Sequence, residues 1–282
     1  MTSLLVFTRD LRVDDNPALC AAANTGNLSC LFVVDNKFSD GPAASQRRHT
    51  FLLQCLSDLD QSLRKLGTHL EIVHGDWLQQ VQQRALGLEA SNIHLSEDYS
   101  SYAKRRIVKL DNWCGDNNVV LHTHPGITAV PPNSISPAGG GEYKVFTPYW
   151  RSWLKTPKRS LLSAPTSLSA AAAPPPSSYF ASTALPDSPL IGGESHGYER
   201  LHYWLNNELG FYAETRDYPA TDETSQLSPY LHFGCISPLR LVEQASQLPE
   251  SEPFIRQVVW RDFYAQILNA HPTAARRDYR DR

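Results

Sequence analysis

No apolar run in this chain approaches the ~20 residues that a membrane span needs, and no basic segment precedes the first apolar stretch, Met1-Thr2-Ser3-Leu4-Leu5. Neither a spanning helix nor a secretory leader is therefore expected. The five cysteines, Cys20, Cys30, Cys55, Cys114 and Cys235, include no CxxC and show neither zinc-knuckle spacing nor a disulfide framework. No G-x-G-x-x-G follows the first apolar run and no G-x-x-x-x-G-K occurs anywhere, which argues against a dinucleotide fingerprint and a P-loop. The ten histidines are dispersed. His122-x-His124 reads as part of a loop with no third ligand beside it, so no metal is expected. An excess of one charge is lacking too: 26 Lys and Arg against 29 Asp and Glu give a formal net charge of −3. The expectation is a reduced, cytoplasmic protein.

What is present is globular: 282 residues, 41% hydrophobic and 10% aromatic, enough for one large domain or two ordinary ones. Five short runs rich in β-branched residues, at 4–8, 28–34, 70–74, 93–96 and 119–122, alternate with longer segments of helical spacing. Phe51, Cys55, Leu56, Leu59 and Leu63 form one such stripe, and Asn16-Pro17 is a helix opening with its cap. This alternation predicts an α/β fold class, with a doubly wound, parallel-sheet (Rossmann-like) domain over residues 1–125. Residues 126–193 form a long connector whose stretch 168–178 reads LSAAAAPPPSS, followed by Pro186 and Pro189. Residues 194–282 lose the strand signature and begin an all-α part, with helices predicted over 194–209, 236–248 and 251–270.

Basic residues are unevenly placed. Lys144, Arg151, Lys155, Lys158 and Arg159 fall in a stretch without acids, and the tail holds Arg256, Arg261, Arg276, Arg277, Arg280 and Arg282. Such local surfaces suit a polyanion on one face, though the same residues equally describe solvated surface. Three clusters combine chemistry with position. Residues 144–150 set aromatics beside bases, with Thr147 as helix cap and Pro148 in the first turn. Residues 224–234 carry three hydroxyls ahead of Pro229, the composition of a phosphate-holding loop and also of a simple capped turn. In the third cluster, helical spacing puts Gln257, Trp260, Arg261 and Tyr264 on one face and leaves Val258, Val259 and Phe263 to pack inward. Such a face can stack on bases and pair with phosphates, or serve as an interface.

With Phe7-Thr8-Arg9-Asp10-Leu11-Arg12 and Asp15-Asn16-Pro17-Ala18-Leu19 ahead of them, these blocks resemble, in order, the DNA photolyase/cryptochrome family. The resemblance is closest to bacterial class I cyclobutane-pyrimidine-dimer photolyases and covers nearly the whole chain. It implies an α/β antenna domain, a connector, and an all-α FAD-binding domain whose flavin, reduced and excited by blue light, splits dimers in UV-damaged DNA. By that resemblance Tyr212, the loop Thr224, Ser225, Gln226, Leu227 and Ser228, and Phe254 would hold FAD. Arg216, Gln257, Trp260, Arg261 and Tyr264 would meet DNA, with Trp260 beside the dimer and Arg261 near phosphate. Gln257 stands where many relatives carry glutamate, and an amide can donate and accept but carries no charge. Tyr102-Ala103 replace the Asn-Glu of folate-type relatives, which leaves a deazaflavin, or no antenna, beside folate. The resemblance further implies a monomer. Family members run further than Arg282, through flavin-ring contacts and a tryptophan chain, so residues 1–282 alone are expected to bind FAD weakly or not at all. A signalling cryptochrome and a non-catalytic binding module are the alternatives.

Overall fold

In a computed structural model of the protein, residues 1–35, 45–171, 190–218 and 224–279 are described. Most of the Pro/Ala-rich linker, at 172–178 with Pro186 and Pro189, and the terminal Arg280 and Arg282 lie outside the described residues.

Five parallel strands form one sheet in the order β3-β2-β1-β4-β5. Central β1 (Thr2–Phe7) pairs with β2 (Asn27–Asp35) and β4 (Asn92–Ser96), so that Leu5 faces both Cys30 and His94. The outer strands are β3 (Leu70–Gly75) and β5 (Val120–His124). Side chains alternate across the pleat. Leu5 and Phe7 join one core with α1 (Pro17–Ala23) and α2 (Gln46–Leu66), while Leu4 and Val6 join another with α3 (Trp77–Gly87) and α4 (Ser101–Asp116). The Asn16 carboxamide oxygen accepts from Leu19 N at 3.1 Å, so the expected cap of α1 forms, with Pro17 behind it.

Two expectations need correction. His122 and His124 stand on β5 rather than in a loop, and the parallel register brings His94 beside them, with ring centroids 4.6 and 5.3 Å away. Near-parallel rings that hydrogen-bond sideways do not converge on an ion: His94 Nδ1 lies 3.1 Å from His124 Nε2, and His122 Nε2 lies 3.0 Å from Asn92 Oδ1. Among the described residues no cluster of three His, Cys, Asp or Glu could hold a metal. The second correction concerns α5 (Phe146–Lys155), which opens at Phe146 with Val145 as its cap and without a Thr147 cap bond. The Phe146 ring is buried 3.9 Å from Trp260, and that packing draws the chain into the helix before Thr147.

The remaining elements are α6 (Glu194–Asn207), a 3-10 turn (Leu209–Phe211) running into α7 (Tyr212–Thr215), α8 (Ser228–Phe233), α9 (Pro238–Ser246) and α10 (Glu252–Ala270). Their buried residues, among them Trp204, Val259 and Phe263, belong to the same core as Leu5 and Phe7. The helical part therefore packs on one face of the sheet.

A polar bracket fixes this docking. Arg9 Nε donates to His232 O (3.1 Å), Leu11 N to Phe233 O (3.2 Å) and Arg12 Nη1 to Gly234 O (2.9 Å), so residues just past β1 cap the carboxyl end of α8. Arg12, fully buried, also donates to the carbonyls of Asp14, Asp15 and Gly126. Gly234 has φ +74°, and a Cβ there would lie 1.9 Å from Arg9 O, so only glycine allows the approach. Asp14 receives Arg240 at 2.7 and 2.9 Å and the Tyr198 hydroxyl at 2.9 Å. Asp15 takes Arg159 Nη2 at 2.7 Å and the Ser237 hydroxyl. Burial raises the Asp15 carboxyl, but Arg159, Ser237 and Leu162 N hold it below its ordinary value.

Replacing Arg12 by alanine strands the buried carbonyls of Asp15, Gly126 and Gly234. Arg12→Ala is expected to lower unfolding free energy by on the order of 3 kcal/mol, read by urea denaturation followed by circular dichroism. Burial, then repulsion from His122 and His124, pushes the His94 imidazole down to about 4. The unfolded chain takes up that proton first, so stability falls as pH drops from about 6.5 towards 4. Urea midpoints measured across that window should flatten in His94→Gln; an unchanged slope would contradict this assignment.

Candidate functional site

Helix α10 is two-sided. Val258, Val259 and Phe263 are buried, whereas Gln257 and Tyr264 are exposed and Trp260 is half-buried. The aromatics form a column that runs from the core outward: buried Phe146 stacks on half-buried Trp260 at 3.9 Å with planes 8° apart, and Trp260 stacks on exposed Tyr264 at 5.5 Å. Arg256 sits 5.9 Å from the ring centres of both Phe146 and Trp150. Of the expected face, Gln257, Trp260 and Tyr264 share one side of α10, and buried Phe146, from a neighbouring helix, stacks beneath Trp260.

Arg261 departs from that face. Its Nη2 donates to Leu231 O at 2.9 Å, and its Nη1 is buried with no hydrogen-bond partner among the described residues. Burial pushes its guanidinium down to about 10. The spacing that aligns Arg261 with Trp260 is right, but the long side chain folds back toward the carboxyl end of α8. Asp262, on the inner side, accepts Ala129 N, Val130 N and Trp153 Nε1. Burial lifts its carboxyl to about 6 against those donors.

A second group lies one turn earlier on α10. Phe254 is buried, 5.5 Å from Tyr212 and 4.1 Å from Trp204. Trp204 Nε1 is buried with no hydrogen-bond partner among the described residues. Arg200, on α6, gathers the loop by donating to Thr224 O (2.8 Å) and Ser225 O (3.0 Å). Gln226 adopts φ +54°, Leu227 is buried, and Ser228 is exposed at the head of α8, with Pro229 next. Tyr212 and Phe254 are thus in contact, and the loop is an ordered turn held from α6. Arg216 is exposed after α7, with Asp217 at 3.9 Å.

The family model for DNA photolyase matches residues 3–175. The chain belongs to the DNA photolyase family. A deoxyribodipyrimidine photo-lyase of Streptomyces griseus is 34% identical over 99% of this chain and 63% of its own length. An uncharacterized 31.6 kDa protein of Synechococcus sp. is 30% identical over 90% of this chain and 96% of its own. The crystal structure of a class III photolyase from Agrobacterium tumefaciens superposes with a TM-score of 0.88 at 26% identity, covering 99% of this chain and 61% of that one. The chain thus spans about three fifths of the photolyases it matches.

In this photolyase-family sheet the strand order reverses between β1 and β4, where open α/β sheets usually bind ligands. Here the crevice is filled. Buried Asp10 accepts from Ser96 Oγ (2.7 Å) and Thr8 N (2.7 Å), and Arg12 and Asn16 pack behind it. Just outside, Arg9 pairs with Asp98 at 3.6 Å. Partial burial, then the charges of Arg9, Arg48 and Arg261, push the nearby His232 imidazole down to about 4. Sequence reading missed this group, three arginines around a neutral imidazole, because its members come from the segment after β1 and from α2, α8 and α10. At the folate-type positions, Tyr102 donates to Asp35 and lies under Arg106, which also covers Trp77 at 4.1 Å, while Ala103 is buried.

Trp260→Ala removes the ring held between Phe146 and Tyr264 and should lower the unfolding free energy by about 3 kcal/mol, read by urea denaturation.

Proposed function

We propose that this chain belongs to a light-dependent DNA lyase that repairs cyclobutane pyrimidine dimers with FAD. The observation that carries the reading is the Phe146–Trp260–Tyr264 column. It starts in the core at buried Phe146 and ends at exposed Tyr264, so the rings that face outward are those of half-buried Trp260 and Tyr264, with basic Arg256 near the inner end. An outward aromatic column in a protein with no charge excess is costly as solvated surface and useful against an unstacked base.

The residues present fit a flavin nucleotide. The orphaned Trp204 Nε1 beside Tyr212 and Phe254 is a buried donor in need of an acceptor, and the Ser225 and Ser228 hydroxyls stand on a loop already gathered by Arg200. FAD, when bound, supplies the photoexcited electron that opens the cyclobutane ring. Tyr212, Thr224, Ser225, Gln226, Leu227, Ser228 and Phe254 hold it. Trp260 and Tyr264 stack against the extruded dimer, and Gln257 offers it a neutral amide. Arg216 contacts the phosphate backbone. Arg261 acts by positioning α8 rather than by meeting phosphate directly.

The second chromophore is proposed to be an acidic deazaflavin rather than a folate. Tyr102 and Ala103 occupy the folate-type positions, and the Arg9 and Arg48 guanidiniums beside neutral His232 suit an anionic ring. We further propose a cytoplasmic monomer organised as antenna domain 1–125, connector 126–193 and FAD/DNA-binding domain 194–282. No helix among the described residues is long and apolar enough to cross a membrane. The test is repair of a thymine-dimer oligonucleotide by the protein at its native length, reconstituted with FAD and reduced, in blue light and in darkness. Repair in light alone, lost in Trp260→Ala, is expected. Light-independent binding with no loss of dimers would instead support a photoreceptor or a binding module.

A further inference from the structure

Cys55 and Cys235 are separated by 180 positions, yet their sulfurs lie 3.3 Å apart, and both side chains are fully buried. Cys55 stands mid-way along α2, against the sheet. Cys235 directly follows Gly234, the left-handed residue that ends α8. A third segment closes over the pair: a Cβ on Gly192 would lie 2.8 Å from Cys55 Sγ, and Gly192 N donates to Gln54 Oε1 at 2.8 Å. The site is thus the meeting point of α2, the entry to α6 and the α8–α9 turn. Phe51 packs beside it on Tyr230 and Phe233, at 5.2 and 5.6 Å. Among the free cysteines Cys20 is half-buried elsewhere, while Cys30 and Cys114 lie in the cores on opposite sides of the sheet.

We propose that Cys55 and Cys235 are an oxidation site whose product is a disulfide joining the α/β domain to the helical part. A disulfide needs about 2.05 Å between sulfurs. Each sulfur therefore has to travel only about 0.6 Å from 3.3 Å, a χ1 adjustment inside one rotamer well. Each thiol gives up its proton as the S–S bond forms. The two protons and two electrons pass to a low-molecular-weight disulfide, which leaves as two thiols by way of a mixed disulfide. Burial, then the hydrogen bond with Cys235, holds the Cys55 thiol well above its ordinary value. The pair is consequently inert while covered, and reacts as the Gly192–Gly193 cover opens locally. Closing a loop of this length restricts the unfolded chain, and the bond lands next to the Arg9–Leu11–Arg12 bracket, so the oxidised form is the more rigidly docked one.

The native chain, incubated with 2-hydroxyethyl disulfide, trapped with N-ethylmaleimide and digested without reduction, should yield one linked peptide pair containing Cys55 and Cys235. The intact mass should fall by two hydrogens, the melting midpoint should rise by several degrees, and dithiothreitol should reverse both. Cys55→Ala and Cys235→Ala should each abolish the linked pair, and the wild-type readout stands even where a variant fails to fold. Absence of the linked pair from the oxidised native chain, or its appearance only in urea, overturns the proposal.

Discussion

Three carbonyls at the end of one short helix govern this molecule. His232, Phe233 and Gly234 present the unpaired C=O groups that every helix leaves at its carboxyl end, and Arg9, Leu11 and Arg12 satisfy them. An unmet buried carbonyl such as that of Gly234 costs on the order of 1–3 kcal/mol, so the segment after the first strand and α8 are held to one relative position. The surrounding groups tighten the same joint. Asp14 ties to Arg240, Asp15 to Arg159 and Ser237, and the Glu194 carboxylate accepts Val13 N and Asp14 N. Burial lifts the Glu194 carboxyl to about 7 even with those two donors.

This joint has a functional consequence. The reversal point between β1 and β4 would ordinarily receive a ligand, but here it receives the rest of the protein. The proposed function accordingly uses the outer side of α10 and the loop gathered by Arg200, where the helical part offers the Trp260 and Tyr264 rings and the exposed Ser228 hydroxyl. The motif at residues 7–19, a main carrier of the resemblance, thus acts as a fastening, and its buried Asp10, Arg12 and Asn16 do not reach the α10 column.

The outward column and the inward core use the same helix without conflict because α10 separates them by angle. Phe254, Val258, Val259 and Phe263 complete a core shared with the sheet, while Trp260 and Tyr264 extend from its edge to solvent. Asp262 pins the inner side to Ala129, Val130 and Trp153. Rotation of α10, which would turn the aromatics away, would break three hydrogen bonds to a buried carboxyl.

Local pattern alone determined the five strands, the helices over α2, α6, α9 and α10, the Asn16 cap and the inward and outward sides of α10. Each of these follows from periodicity or from a side chain bonding its near neighbours. The ordered blocks around Arg12, Phe146, Leu227 and Trp260 likewise announced the family. Contacts between distant residues carry no such signature. Only packing showed that Phe146 completes the Trp260 column, that Arg261 folds inward, that His94 joins His122 and His124, and that Cys55 meets Cys235 across 180 positions. Spacing along a chain encodes what one helix or strand presents. Which elements then meet is decided by the buried area and the hydrogen bonds that their docking satisfies, and those exist only once the chain has folded.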